Sequence, residues 1–268
     1  MLKVIFIADI VGKIGRKAVT KYLPKLKKLY QPDLVIANAE NLAHGSGFTT
    51  STLGEMTKSG VDMFTSGNHA WRKGEADTIL NADNSLVIRP ANYADARSGK
   101  GYKEIKFGNF RVIVVNLLGK VFMKDEPVGC PFNALEKITH KFNGEKDIII
   151  VDMHAETTSE KHAIAQYFDG KVTAVLGTHT HVPTADERIL TNGTALISDV
   201  GMVGYYDSVI GARKDQVFNL FLGHGETSRK HDLPDTGECQ FDAVYLEINA
   251  KTRKATKIKR INKIIDIK

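Results

Sequence analysis

Five short stretches of the chain carry side chains able to hold metal ions, and each follows an apolar run. They read Ala8-Asp9-Ile10-Val11-Gly12, Asn38-Ala39-Glu40-Asn41, Ser66-Gly67-Asn68-His69, Val151-Asp152-Met153-His154-Ala155-Glu156 and Gly177-Thr178-His179-Thr180-His181. Together they offer carboxylate, amide and imidazole donors without a thiolate. That set suits manganese, iron or zinc and is a poor match for a structural cysteine-rich zinc site. Four of the nine histidines (His69, His154, His179 and His181) fall in these stretches, a concentration that chance placement does not favour.

Taken singly, each stretch has a plainer reading. Asp9 could only cap the next helix, His154 could be a hydrogen-bonded core histidine, and Gly67-Asn68-His69 and Asn41 could be turn residues. His179-x-His181 says more, because alternate residues in a strand-like stretch face the same way and could reach neighbouring ions. Other chemistries find no support. The chain has no G-x-x-x-x-G-K-[ST] phosphate loop and no H-E-x-x-H, and Gly12-x-x-Gly15-Arg16 lacks the dinucleotide fingerprint. His44 could touch a substrate but reads more simply as a solvated loop histidine. Gly45-Ser46-Gly47 reads as backbone able to approach a phosphate, and Trp71, Tyr205 and Tyr206 are candidates for stacking a base, with packing under the metal loop an equal reading of Trp71.

Positioning these groups requires strands that end where the loops begin. Short apolar strands alternate with helical stretches, which predicts an α/β fold in which ligands gather outside the carboxyl ends of the strands. Strands are expected at Leu2–Ala8, Asp33–Asn38, Val61–Thr65, Leu86–Ile88, Phe110–Asn116, Asp147–Asp152, Val172–Leu176 and Thr194–Ile197. Helices are expected over Ile14–Tyr30, Pro131–Phe142 and Thr158–Phe168. Phe241–Ile248 and Ala255–Ile265 alternate as an antiparallel pair across the Asn249–Lys254 turn. Gly223–Gln240 reads as a mobile surface loop. With no internal repeat and no separating linker, one domain over residues 1–268 is expected.

The chain has 268 residues, 42% hydrophobic and 25% charged, which excludes a disordered or low-complexity protein. No apolar run approaches a bilayer span, so no membrane partner is expected. The first ten residues reach Asp9 almost at once and read as a buried strand, not an export signal. Cys130 and Cys239 cannot build a disulfide framework, which fits a reduced, cytoplasmic protein. The formal charge of +6 is concentrated in two places. Lys13–Lys28 carries seven basic residues and no acid, and Lys251–Lys268 carries eight against Asp266, so the remainder is acidic. Such segments are most simply a solvated helix face and a lysine-rich edge strand. They are also the one feature that would suit an RNA or protein partner, although the tail lacks interleaved aromatics. A homo-oligomer is compatible with this composition.

The order Asp, acidic loop, Gly-Asn-His, lone His, Gly-x-His-x-His resembles the calcineurin-like metallophosphoesterases. Asp9-Ile10-Val11-Gly12 with Gly15-Arg16, Asn38–Asn41, Asp152 and His154–Lys161, Gly177–Asp186, and Asp199–Met202 with Tyr206–Gly211 are more closely similar to the YmdB-like subfamily, up to about residue 215. The resemblance implies an α/β calcineurin-like fold, a central β-sandwich flanked by helices in four αββα layers. It further implies two metal ions, iron or manganese. Asp9, Glu40, Asn41 and His181 would hold one ion, and Glu40, Asn68, His154 and His179 the other, with Glu40 bridging. Two departures from the general superfamily matter: Val11 stands where an Asp-x-His motif would have its histidine, and Glu40 replaces a bridging aspartate. Asn41 is then the side chain able to fill the missing position.

A water bridging two cations 3.5–4 Å apart loses its proton readily, and the ions neutralise phosphoryl oxygens. His69, directly after Asn68, suits a general acid that protonates the leaving oxygen, and Asp152 and Glu156 suit groups that orient ligands. The expected activity is therefore hydrolysis of small cyclic nucleotides, with 2′,3′-cyclic nucleotides favoured by the resemblance. The alternatives are a phosphomonoesterase or protein phosphatase on the same site, or a regulatory RNA- or protein-binding module whose metal site is not catalytic.

Overall fold

The computed structural model describes residues 1–94, 97–123, 127–142, 147–224 and 234–268. The chain builds most of one sheet, then a second, and then returns to the first. Strands β1 (Leu2–Ile7), β2 (Asp9–Ile10), β3 (Leu34–Asn38) and β4 (Met63–Thr65) open the first sheet. Strands β5 (Tyr102–Phe107), β6 (Phe110–Leu118), β7 (Asp147–His154), β8 (Ala174–Thr178), β9 (Arg188–Ile189) and β10 (Ala195–Ile197) form the second, in the order β5-β6-β7-β8-β10-β9. Strands β11 (Met202–Tyr205), β12 (Gly237–Ile248) and β13 (Ala255–Ile267) complete the first sheet, ordered β2-β11-β12-β1-β3-β4 with β13 on the far side of β12. The helices are α1 (Gly12–Tyr30), α2 (Thr50–Lys58), α3 (Ala76–Asn81), α4 (Pro131–Lys141), α5 (Thr158–Tyr167) and α6 (Lys214–Phe221).

Side-chain alternation sorts the strands into layers. In β1, Ile5 and Ile7 join a core with Ile14, Ala18 and Leu23 of α1, whereas Leu2, Val4 and Phe6 face the other way. Those three meet Val112 and Val114 of β6 and Ile148 and Ile150 of β7, so this second core lies between the sheets. The opposite residues of β6 and β7, Ile113, Val115, Ile149 and Val151, pack under Leu135 and Ile138 of α4 and Ile164 and Ala165 of α5. The result is the expected four-layer αββα sandwich. Each fully buried Ile, Leu or Val contributes about 1.5–3 kcal/mol to holding it. The parallel strands β3, β6, β7 and β8 are buried on both faces, which is why they read as continuous apolar runs.

Several boundaries differ from the sequence reading. Leu86–Ile88 is no strand; Val87 makes only an isolated bridge to Phe64, because the chain there passes once beside the edge strand β4. Val172–Leu176 shifts to Ala174–Thr178, and Val172 instead bridges Asp169 in the preceding turn. Of the Gly223–Gln240 stretch, residues 225–233 lie outside the described residues, and Gly237–Gln240 already belongs to β12, paired with Ile264–Ile267 of β13. The antiparallel β12/β13 pair is as expected and longer at both outer ends.

Candidate metal centre

Each candidate side chain stands at the carboxyl end of a strand. Asp9 begins β2 one residue beyond β1, Glu40 and Asn41 follow β3, Gly67–His69 follow β4, His154 ends β7, and His179 and His181 follow β8. Val11, in the position of a superfamily histidine, is buried, and its N–H donates to Val203 O of β11. The residue at position 67 must be glycine. A Cβ there would collide with Glu40 Oε2 and the His154 ring, so only bare backbone can pass this close.

The groups converge on Glu40, which is buried. Its Oε2 lies 3.0 Å from His154 Nε2, and its Oε1 lies 3.3 Å from both His69 Nδ1 and Asn41 Nδ2. His179 Nδ1 sits 3.1 Å from His154 Nε2, and Asn41 Nδ2 sits 3.1 Å from His181 Nε2. His181 Nε2 in turn is 3.8 Å from Asp9 Oδ1, and the His179 N–H donates to Asp9 Oδ2 at 3.3 Å. The structure thus gathers Asp9, Glu40, Asn41, His69, His154, His179 and His181 at one place. Asn68 joins through the same tight turn, and its Oδ1 is buried without a hydrogen-bond partner.

Ring orientation is set from behind. His154 Nδ1 donates to Thr178 Oγ1 (2.8 Å), which donates to Asp152 Oδ1 (2.6 Å), while Asn38 Nδ2 donates to Asp152 Oδ2 (3.0 Å). His179 Nε2 is paired with Glu156 Oε2 at 3.0 Å, and His181 Nδ1 donates to Ile210 O at 2.7 Å. In each case one ring nitrogen is engaged outward and the other is turned to the cluster, the arrangement by which protein groups fix a ligand tautomer. His69 differs. Its Nδ1 lies 2.9 Å from the Asn41 amide and its side chain is about a quarter exposed, which leaves Nε2 as the nitrogen available to a reactant.

Electrostatics reflect a buried knot of acids, Asp9, Glu40 and Asp152, whose chief opposing charges are imidazoles. Burial alone would raise Glu40, but the neighbouring imidazoles, His154 foremost, hold its carboxyl well below the usual range. Conversely His154, although desolvated, is raised to about 9 by Glu40, Asp9 and Asp152. Burial lifts Asp152 to about 7, and burial together with charged His154 drops His179 to about 4. Bound cations would neutralise the same acids.

The donor set fits metal ions. Ligand-type atoms of Glu40, His154 and His179 lie within 4.8 Å of one another. Two nitrogen pairs face each other at hydrogen-bond distance, and the buried oxygens Asp9 Oδ1 and Asn68 Oδ1 have no hydrogen-bond partner. Buried polar atoms without partners are rare, and two at one strand-end cluster mark a place shaped for a cation. Asn41 presents Nδ2 to the cluster; the reversed amide would present Oδ1 instead.

One part of the sequence reading needs correction, and one pair of alternatives is decided. His179 and His181 are not alternate residues of a strand: both lie past β8 with left-handed φ of 102° and 64°. The turn, not strand pleating, aims them inward. Trp71 is no stacking platform, since its ring packs edge-on against Tyr93, is covered by the Arg97 guanidinium at 4.6 Å, and donates from Nε1 to Ser98. Tyr205 packs against the core beneath α1, while Tyr206 is about half exposed. His44 is exposed at a left-handed turn whose Gly47 N–H reaches back to Glu40 O. Sequence reasoning missed the roles of Thr178 and Asn38, which stand inside the ligand stretches, and of Ile210, 29 residues beyond His181, which acts through its backbone carbonyl and so carries no side-chain signal.

The basic helix α1 is largely engaged within the chain. Lys13 and Lys17 bind Asp235, Lys21 binds Asp266 O, Arg16 binds Glu55 and Leu42 O, and Lys27 binds Gly60 O. In β13, Lys257 pairs with Glu247 and Arg260 with Glu187. Among the described residues no helix is long and apolar enough to cross a membrane.

Known proteins share both sequence and architecture. A 2′,3′-cyclic-nucleotide 2′-phosphodiesterase of Bacillus subtilis is 39% identical over 265 residues, covering 97% of this chain and 96% of that protein. A solved structure described as a novel phosphatase from Mycoplasma pneumoniae aligns with a TM-score of 0.91 at 36% identity, over 99% of this chain and 94% of its own. The NAD nucleotidase of Haemophilus influenzae, at 14% identity and a TM-score of 0.59 over 99% of this chain and 56% of its own, shares the fold alone. A sequence model described as YmdB-like protein matches residues 5–261. With that match running through every strand-end motif and the sandwich that presents them, the chain belongs to the YmdB-like family and has the calcineurin-like metallophosphoesterase fold.

Proposed function

We propose that this chain is a metal-dependent phosphodiesterase that hydrolyses small cyclic nucleotides, 2′,3′-cyclic nucleotides foremost. The observation that carries the reading is the cluster around Glu40, with the oxygens Asp9 Oδ1 and Asn68 Oδ1 buried and without hydrogen-bond partners beside His154, His179 and His181. In this reading Asp9, Glu40, Asn41 and His181 hold one ion, and Glu40, Asn68, His154 and His179 the other, with iron and manganese both suited to the donors. Such a pair supplies Lewis acidity toward phosphoryl oxygens and activates water as a nucleophile at neutral pH. The substrate class is taken from the name of the Bacillus relative.

The chain's own residues then have distinct tasks. Glu156, Thr178 with Asp152, and Ile210 O hold His179, His154 and His181 in their ring orientations. With the Asn41 amide reversed so that Oδ1 faces the cluster, its Nδ2 donates to His69 Nδ1, and the proton then carried on His69 Nε2 goes to the leaving ribose oxygen as the P–O bond breaks. A positioned acid of this kind is worth about 10²–10⁴ in rate. The Mycoplasma structure's description as a phosphatase keeps a monoesterase as the second reading. A binding module without catalysis has less support, because the α1 lysines are mostly bound within the chain.

The test compares 2′,3′-cyclic AMP, a simple aryl phosphodiester and the matching aryl monoester on manganese- or iron-loaded protein, with and without chelator. Diester hydrolysis that the chelator abolishes is expected. A clear preference for the monoester would select the phosphatase reading.

A further inference from the structure

The segment after β6 leaves the sheet beside the cluster. Leu118 is in register with His154, and the Gly119 N–H donates to His154 O at 2.9 Å. The next residues are clamped. Glu160 of α5 accepts from the N–H groups of Lys120 (2.9 Å) and Val121 (3.1 Å), and the Met123 N–H donates to Lys120 O. The Met123 side chain is buried with Tyr93 and Leu118, and Trp71 packs on the same cluster. Trp71 lies two residues beyond His69, so this cluster ties the segment to the turn that carries Asn68 and His69.

Between the clamp and the anchor sits Phe122, which has a left-handed φ of 62° and is 73% exposed. The left-handed region is disfavoured for a bulky L-residue, and an exposed phenyl ring gains nothing from the hydrophobic effect. Strain held in place by its surroundings at the rim of a site points to a ligand.

The chemistry says which part of the ligand. His69 protonates the leaving oxygen, which in a nucleoside cyclic diester belongs to the ribose. The nucleoside therefore lies on the His69 side, and the shared packing of Trp71 and Met123 ties the segment that carries Phe122 to the His69 turn. We propose that Phe122 is the stacking platform for the base, a specificity-determining residue of the proposed phosphodiesterase on which this role rests. Of the aromatics near the cluster, Trp71 is already covered by Arg97 and Tyr93. Tyr206 follows β11, the neighbour of Asp9 in the sheet, toward the Ile210 side of His181.

The experiment measures kcat and KM for 2′,3′-cyclic AMP and for ribose 2′,3′-cyclic phosphate, which lacks a base, on the metal-loaded parent, Phe122→Ala and Phe122→Trp. In Phe122→Ala, KM for the nucleotide should rise about tenfold, toward the lower end of what base–aromatic stacking is worth. Its kcat should stay within about twofold, the base-free substrate should be unaffected, and Phe122→Trp should restore the parental KM. An unchanged nucleotide KM in Phe122→Ala overturns the stacking role while leaving the phosphodiesterase reading intact, and so does an equal loss on both substrates. A parent inactive on both cyclic diesters removes the phosphodiesterase reading and the stacking role with it.

Discussion

Lys161 lies on α5 with its side chain wholly buried and its Nζ 2.7 Å from Asp199 Oδ2. That carboxylate also accepts from the Thr180 N–H at 3.1 Å and the Gly201 N–H at 2.9 Å. Thr180 stands between His179 and His181, so one buried ion pair anchors the turn that aims both histidines. Replacing Lys161 by Met keeps the stem and removes the ammonium. An uncompensated buried charge costs about 3–5 kcal/mol. Asp199 can escape by taking up a proton, and burial already raises its carboxyl. From the ordinary value of 3.8, protonation at pH 7 costs about 4 kcal/mol at 1.36 kcal/mol per unit, and at pH 5 about 2 kcal/mol. The folded variant then binds a proton that the unfolded chain releases, so its deficit grows as pH rises above about 4 and fades below it. Urea unfolding of parent and Lys161→Met in chelator, between pH 4.5 and 7, should show the difference widening from about 1 to about 4 kcal/mol. A difference constant with pH would refute the electrostatic account and assign the loss to packing around the stem.

Three further outcomes are expected. Glu40→Gln removes a charge on which His154, His69 and Asn41 converge, so elemental analysis of the purified variant should find neither ion at full occupancy; two full equivalents would remove Glu40 from a bridging role. His69→Ala should keep its metal content yet lose about 10²–10⁴ in turnover with poor leaving groups and far less with nitrophenolate, whereas equal activity across leaving groups would place the acid elsewhere. Asp242 is buried and its carboxyl is raised to about 6, although Gln240, Asn262 and the Met202 N–H donate to it. Ionisation therefore destabilises the fold increasingly from about pH 4 to 6, and Asp242→Asn, which can donate to a reversed Asn262 amide, should gain up to about 3 kcal/mol relative to the parent at pH 7.5 but not at pH 4.

The loops were legible because each ligand stretch follows a strand buried on both faces, and such strands announce themselves as Val- and Ile-rich runs. Strand β5 was not. Its sequence Tyr-Lys-Glu-Ile-Lys-Phe belongs to an edge strand with one half-exposed face, so neither a run nor a clean alternation marks it. Helix α2 was hidden because only Leu53 and Met56 are buried; its start is signalled by the Thr49–Thr52 capping box, which a search for apolar periodicity passes over. Helix α6 buries nothing at all, and β2 and β9 are two residues each, too short for any periodic signal. Within the site, residue types and order could be read directly. The left-handed turn at His179 and His181 could not, since it depends on Asp199 and Lys161, which lie 18 to 20 residues away along the chain.

The two sheets meet at the site through polar groups, and this explains why a centre split between them can be rigid. Over most of its extent the space between the sheets is filled by Val, Ile and Leu, which fix distance but tolerate small slips. At the carboxyl ends the filling changes. Asn38 of the first sheet donates to Asp152 of the second (3.0 Å) and to Ser66 O (3.1 Å), while the Ser66 N–H reaches Asn116 Oδ1 of the second sheet (3.3 Å). These groups are buried, so any slip that broke one bond would strand a polar atom at about 1–3 kcal/mol each, and register is penalised in steps. Asp152 is also the far end of the chain that orients His154 through Thr178. The latch between the sheets and the support of a candidate ligand are one network, so a change at Asn38 should disturb His154 through Asp152 and Thr178.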